Sequence, residues 1–134
     1  MILLKYVIGM DKKLLGQKGE ALATEFLGKE GYFVVARNYT TPLGEIDIIA
    51  RKDKTIMVIE VKTSLVEHFS KPEFSPELRV NNAKQKRLIK LGQYYLMNEI
   101  GKVEVPWEIN IIGVEINAYG LFQIRHWRQA VVDI

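Results

Sequence analysis

The chain has 134 residues, 48% apolar and 26% charged, and its 19 Lys plus Arg against 16 Asp plus Glu leave a formal charge of +3. A domain of about 150 residues hides roughly 68–70% of its unfolded surface, so a chain of this size builds a core without covalent staples. The lack of cysteine excludes a disulfide framework, a thiolate zinc site, an iron–sulfur cluster and a cysteine nucleophile, and fits a reducing, cytoplasmic setting. With His68 and His126 as the only histidines, a metal here is expected on oxygen ligands, which points to magnesium, manganese or calcium.

Met1 to Gly9 is apolar but interrupted by Lys5, with no small-residue cleavage site after it. It falls short of the ~20 residues that span a bilayer, so a short strand or N-terminal extension is expected there, and no export signal or membrane anchor. From Asp11 to Glu30, Leu14, Leu15, Ala21, Leu22 and Phe26 keep a helical period, with Asp11 as N-cap and Gly31 as stop. Tyr32 to Arg37 reads as a strand and Asn38 to Gly44, with Pro42, as a turn. The β-forming runs Glu45–Arg51 and Thr55–Thr63 flank Lys52–Lys54 and predict a hairpin. Ser64 to Asn82 carries Pro72 and Pro76 and reads as a long connection with a helical turn near Ser75–Leu78. Asn82 is placed to cap a helix from Ala83 to about Glu99, ended by Gly101, and Val105–Asn117 and Gly120–Arg128 alternate as strands. The order helix, three strands, helix, two strands predicts one α/β domain over residues 1–134, with a mixed central sheet flanked by helices.

The chemistry depends on the parity of the hairpin. If Asp53 and Lys54 are the two central loop residues, Asp47 falls opposite Glu60 and Glu45 opposite Lys62. Opposed Cβ atoms lie ~4.5–5.5 Å apart, so four ionisable groups would meet on one patch. This parity also puts Ile46 and Ile48 on one face with Ile59 and Val61, and Ile49 and Val58 on the face of the charges. Two carboxylates this close repel unless one is protonated, balanced by Lys62, or shares a hard cation. Magnesium on Asp47 and Glu60, with Lys62 positioning water or stabilising developing charge, suits phosphodiester hydrolysis. Spacing alone equally supports a solvated sheet face with cross-strand ion pairs worth ~0.2–1 kcal/mol each. By helical periodicity Glu20 is a surface residue, nearly opposite the main apolar stripe. Arg79 to Lys90 holds five basic residues and no acid, and Lys84, Lys86 and Arg87 oppose the macrodipole at a helix start, which suits a phosphate-bearing partner or a solvated face. His68 and His126 have no second histidine at ligand spacing, and no P-loop, nucleophile elbow or dinucleotide fingerprint occurs.

Gly16-Gln-Lys-Gly-Glu20, Gly44-Glu-Ile-Asp-Ile-Ile-Ala50, Ile59-Glu-Val-Lys-Thr63, Ser75-Pro-Glu77 and Lys84-Gln-Lys-Arg87 together resemble, in order and spacing, the YraN-like bacterial family. That family is grouped with the Holliday junction resolvase-like nucleases of the PD-(D/E)XK superfamily. The resemblance runs from about Leu14 to Glu115 and implies a restriction-endonuclease-like fold. It implies metal ligation by Asp47 and Glu60, with the Val61 carbonyl as a further ligand, a catalytic Lys62, and a Glu20 that completes the site. It further implies magnesium or manganese as cofactor, nucleic acid, foremost DNA, as partner, and homodimers acting on two-fold branched substrates. The chain departs from the family pattern at Ser64, where Arg is frequent, and at Asn110, where Asp is frequent. The expectation is a metal-dependent endonuclease; the alternatives are a non-catalytic nucleic-acid-binding module on the same fold and an interaction domain whose charged hairpin is only solvated.

Overall fold

The structure, a computed structural model, describes residues 11–71, 81–102 and 104–131. The N-terminal apolar stretch and the turn expected near Ser75–Leu78 lie outside the described residues. Helix α1 spans Lys12–Lys29, strand β1 Phe33–Thr41, β2 Gly44–Lys52, β3 Thr55–Leu65, helix α2 Asn82–Tyr95, β4 Trp107–Ile116 and β5 Phe122–Val131. The five strands form one sheet in sequential order, antiparallel except for the parallel β3–β4 pair, to which the connection through α2 leads. This is an α/β arrangement consistent with the restriction-endonuclease-like fold. No helix among the described residues is long and apolar enough to cross a membrane.

Local signals account for the element ends. Asp11 accepts a 2.8 Å hydrogen bond from the Leu14 N–H at the start of α1, and Gly31, at φ 88, follows its end. The expected turn at Asn38–Gly44 is a correction. β1 continues to Thr41, pairing Tyr39 with Ile46 and Thr40 with Glu45, and the reversal is confined to Pro42-Leu43. Thr41 Oγ1 closes it, donating to the Gly44 carbonyl and accepting from the Leu43 N–H. Asn81, not Asn82, caps α2, its Oδ1 accepting from the Lys84 N–H at 2.9 Å. The α-helix ends at Tyr95 and widens into a π-helical turn, Leu96–Ile100, which Gly101 closes at φ 91.

The sheet has an apolar cluster on each face. One joins Ala23 and Leu27 of α1 to Ile48, Ala50, Met57, Ile59, Ile112, Val114 and Ile116. The other joins Leu88, Leu91 and Tyr95 of α2 to Ile46, Ile49, Ile56, Val58 and Ile109. Ile46 and Ile48 therefore lie on opposite faces, against the expectation that they share one. Their partners Arg37 and Tyr39 keep one register, and Asn38 between those partners takes the left-handed conformation at φ 52.

Buried polar groups hold the remaining connections. Glu115 meets Arg125 at 3.4 Å and accepts from the Ser70 N–H at 2.9 Å, tying down the chain that leaves β3. Asn110, fully buried, contacts His126 Nε2 at 3.0 Å and accepts from the Gln129 N–H at 3.1 Å. That position therefore serves the β4–β5 pairing, where Gln129 sits at φ 50.

Helix α1 lies close against β3 at Gly19, where a Cβ would collide with the Thr63 side chain. We expect Gly19→Ala to lower stability by about 1–3 kcal/mol, read by thermal denaturation. Trimming Thr63 to Ala in the same protein should recover part of the loss; full stability of Gly19→Ala alone would refute the contact.

Candidate active site

The hairpin has the even parity expected. Lys52 pairs with Thr55, and the register runs unbroken through Ile49 with Val58 to Ile48 with Ile59. There it stops, one step before Asp47 and Glu60, so these residues are not a closed cross-strand pair. Instead Asp47 Oδ2 accepts the Val61 N–H at 2.8 Å, taking the place of a strand carbonyl. β2 keeps its β1 partner out to Gly44, while β3 continues along β4, pairing Glu60 with Ile111 and Lys62 with Gly113. The strands thus part at the acidic residues, and a cleft opens between them and α1.

That cleft, about 450 Å³, is lined by Glu20, Glu45 and Asp47, with Lys12, Lys13 and Gln17 of α1 among the other walls. Glu20 is half-buried and directed at Asp47, which corrects the surface position that periodicity suggests. The wheel position opposite the core stripe faces the cleft because Gly19 lets α1 lie close against β3. Burial, foremost, together with the charges of Glu20 and Glu60 pushes the Asp47 carboxyl up to about 7, against the opposing pull of the Val61 N–H. Burial likewise raises Glu20, with Arg37 and a hydrogen bond to Asp47 acting the other way.

Glu60 does not line that cleft but is near enough for its charge to act on Asp47, and it pairs with the first turn of α2. Its Oε1 lies 2.8 Å from Lys84 Nζ, its side chain is 14% exposed, and its buried Oε2 has no hydrogen-bond partner among the described residues. Lys84 thus belongs to the acidic site as well as to the basic run, a pairing that no local sequence signal announces. Lys86 and Arg87 are exposed on α2, and Arg87 lines a surface recess of about 380 Å³ together with Lys84 and Asn81. Lys62 is half-buried, two residues beyond Glu60 on β3. Ile49 and Val58 pack in the cluster under α2 and do not line the Asp47 cleft. The basic cleft walls Lys12 and Lys13 escape a sequence reading because nothing local ties the first turn of α1 to β2.

Among the described residues, no three Asp, Glu or His side chains are arranged to enclose a metal as they stand, with Asp47 turned to Glu20 and Glu60 to Lys84. The donor chemistry nevertheless fits a hard divalent cation, because the carboxylates supply only oxygen and Glu60 Oε2 is an unsatisfied buried acceptor.

Residues 19–114 match the family model described as "Uncharacterised protein family UPF0102". A UPF0102 protein of Thermodesulfovibrio yellowstonii is 43% identical over 100 residues, covering 75% of this chain and 84% of that protein. One of Caldicellulosiruptor bescii is 36% identical over 108 residues, 81% of this chain and 87% of the relative. One of Sulfurovum sp. is 39% identical over 101 residues, 75% and 82% of the two chains.

Asp47 lies at about 7 in the folded protein against an ordinary value of 3.8. Between these values the native state binds more protons than the unfolded chain, so this residue reduces stability as pH rises through that window and most above it. Asp47→Asn keeps an acceptor for the Val61 N–H and should raise stability at pH 8 by roughly 1–2 kcal/mol, with little change at pH 4. Thermal melts at the two pH values check this, and equal stability of the two proteins at pH 8 would refute it.

Proposed function

The chain belongs to the UPF0102 family, and from that premise and the acidic cleft we propose that the protein is a metal-dependent nuclease hydrolysing phosphodiester bonds of DNA, with branched recombination or repair intermediates as its substrate class. The observation that carries this reading is the parting of β2 and β3 at Asp47 and Glu60, which leaves a raised carboxyl beside Glu20 and an unpartnered Glu60 Oε2. A carboxyl raised by burial and by neighbouring acids in a cleft, with an unsatisfied acid beside it, marks a functional site more often than a structural one. The resemblance to PD-(D/E)XK nucleases, carried by the Gly44–Ala50 and Ile59–Thr63 runs, points to the same residues.

Asp47 and Glu60 would hold magnesium or manganese, which when bound supplies Lewis acidity toward a phosphate oxygen and eases deprotonation of water. Asp47 is oriented for this by the Val61 N–H, which fixes one carboxylate oxygen and leaves the other for the cleft. Glu20, raised by burial, can hold a proton near Asp47 and so limit the repulsion between the two groups. Lys62 orients the attacking water or stabilises charge on the phosphate. Water adds its oxygen to phosphorus, one P–O ester bond breaks, and the departing oxygen takes up a proton. Lys86 and Arg87, exposed on α2, supply phosphate contacts outside the cleft. A two-fold branched substrate calls for two copies of such a site, and hence a homodimer.

Linear, flapped and four-way branched DNA incubated with manganese tests the proposal. Cleavage of at least one substrate is expected, abolished by chelator and reduced at least about 100-fold in Asp47→Asn and Lys62→Met. Salt-sensitive DNA binding by folded protein without cleavage of any substrate would favour a non-catalytic binding module instead.

A further inference from the structure

Lys84 stands between two surroundings. On one side its ammonium holds Glu60 Oε1 at 2.8 Å; on the other it lines the recess it shares with Arg87. Its side chain is 30% exposed, so it is reachable from solvent while engaged. The first turn of α2 contains no acidic residue, so no carboxylate there competes with Glu60 for it. The recess lies at the start of α2, lined by Asn81 and Ala83 as well, where the macrodipole favours an incoming anion. Glu60 Oε2, the other oxygen of the same carboxylate, is buried and unpartnered.

We propose that Lys84 occupies the place of the divalent cation at Glu60 in the metal-free protein and is drawn off by a nucleic-acid phosphate entering the recess, so that substrate binding opens the metal site. The proposal rests on the nuclease reading above and adds a gate to it. Metal and ammonium compete for one carboxylate, and phosphate and carboxylate compete for one ammonium. Binding of metal and of polyanion is therefore mutually favourable, with Lys84 as the coupling residue. In this role Lys84 is a positioning residue that governs when Glu60 becomes available. Arg87 supplies the second contact that keeps the phosphate in the recess.

The test measures manganese binding by calorimetry and by the electron paramagnetic resonance of free Mn2+, with and without a 20-base-pair phosphorothioate duplex that resists cleavage. The duplex should tighten binding to the unaltered protein at least about fivefold. Lys84→Met should bind manganese about three- to tenfold more tightly without the duplex and respond little to it. Lys84→Gln repeats the measurement if Lys84→Met fails to fold by thermal melt. Unchanged or weaker manganese binding by the Lys84 variants, or a duplex without effect on the unaltered protein, overturns the gate, while metal binding that is lost in Asp47→Asn keeps the nuclease reading. No manganese binding by any folded form, with or without duplex, overturns both.

Discussion

The site depends on one substitution of acceptors. Where β2 and β3 would continue their ladder past Ile48 and Ile59, the Asp47 carboxylate takes the Val61 N–H in place of a strand carbonyl. Backbone donors in a half-buried sheet need a partner, and a carboxylate provides one without requiring the second strand to stay alongside. β2 is thereby free to stay with β1 while β3 stays with β4, and the gap between them becomes the cleft. The close approach of α1 at Gly19 closes the side of that gap and brings Glu20 into it.

The resulting electrostatics work against stability. Asp47 is burdened by burial and by two neighbouring acids, and among the described residues the ammonium of Lys84 pairs with Glu60 rather than with Asp47. The other buried ionic groups contrast with this. Glu115 is satisfied by Arg125 and Ser70, and Glu108 Oε1 receives both Nε and Nη2 of Arg128, although its Oε2 lacks a partner. Those pairs fasten β4 to β5 and to the chain leaving β3. Burial of Asp47 together with two like charges is an electrostatic conflict of the kind expected at a functional site.

Asn110 shows how a buried polar side chain is satisfied within the sheet. An anion at this fully buried position would need a cation or a proton, whereas the amide contacts His126 and accepts from the Gln129 N–H at the irregular end of β5. His126 is itself held near the neutral form, chiefly by burial, among Phe26, Tyr32 and Asn110. The residue has become part of the sheet's internal bonding rather than of the acidic cleft.

Sequence by itself determined what depends on neighbours along the chain. The Asp11 cap and Gly31 stop of α1, the two-residue loop at Asp53-Lys54 with its even parity, and the mixed order of elements all follow from local conformational preference and hydrophobic period. Recognition of Asp47, Glu60 and Lys62 as candidates followed from that parity and from a family resemblance. Only the tertiary structure decided the rest. β1 runs through the expected turn because pairing with β2 outweighs the turn-forming tendency of Asn38 to Thr41. Ile46 joins the cluster under α2 and Ile48 the one under α1, which alternation alone does not foresee. Glu20 becomes half-buried through a helix–strand approach, and Lys84 finds Glu60 across a long connection. Each is a contact between segments distant in sequence, set by packing and desolvation.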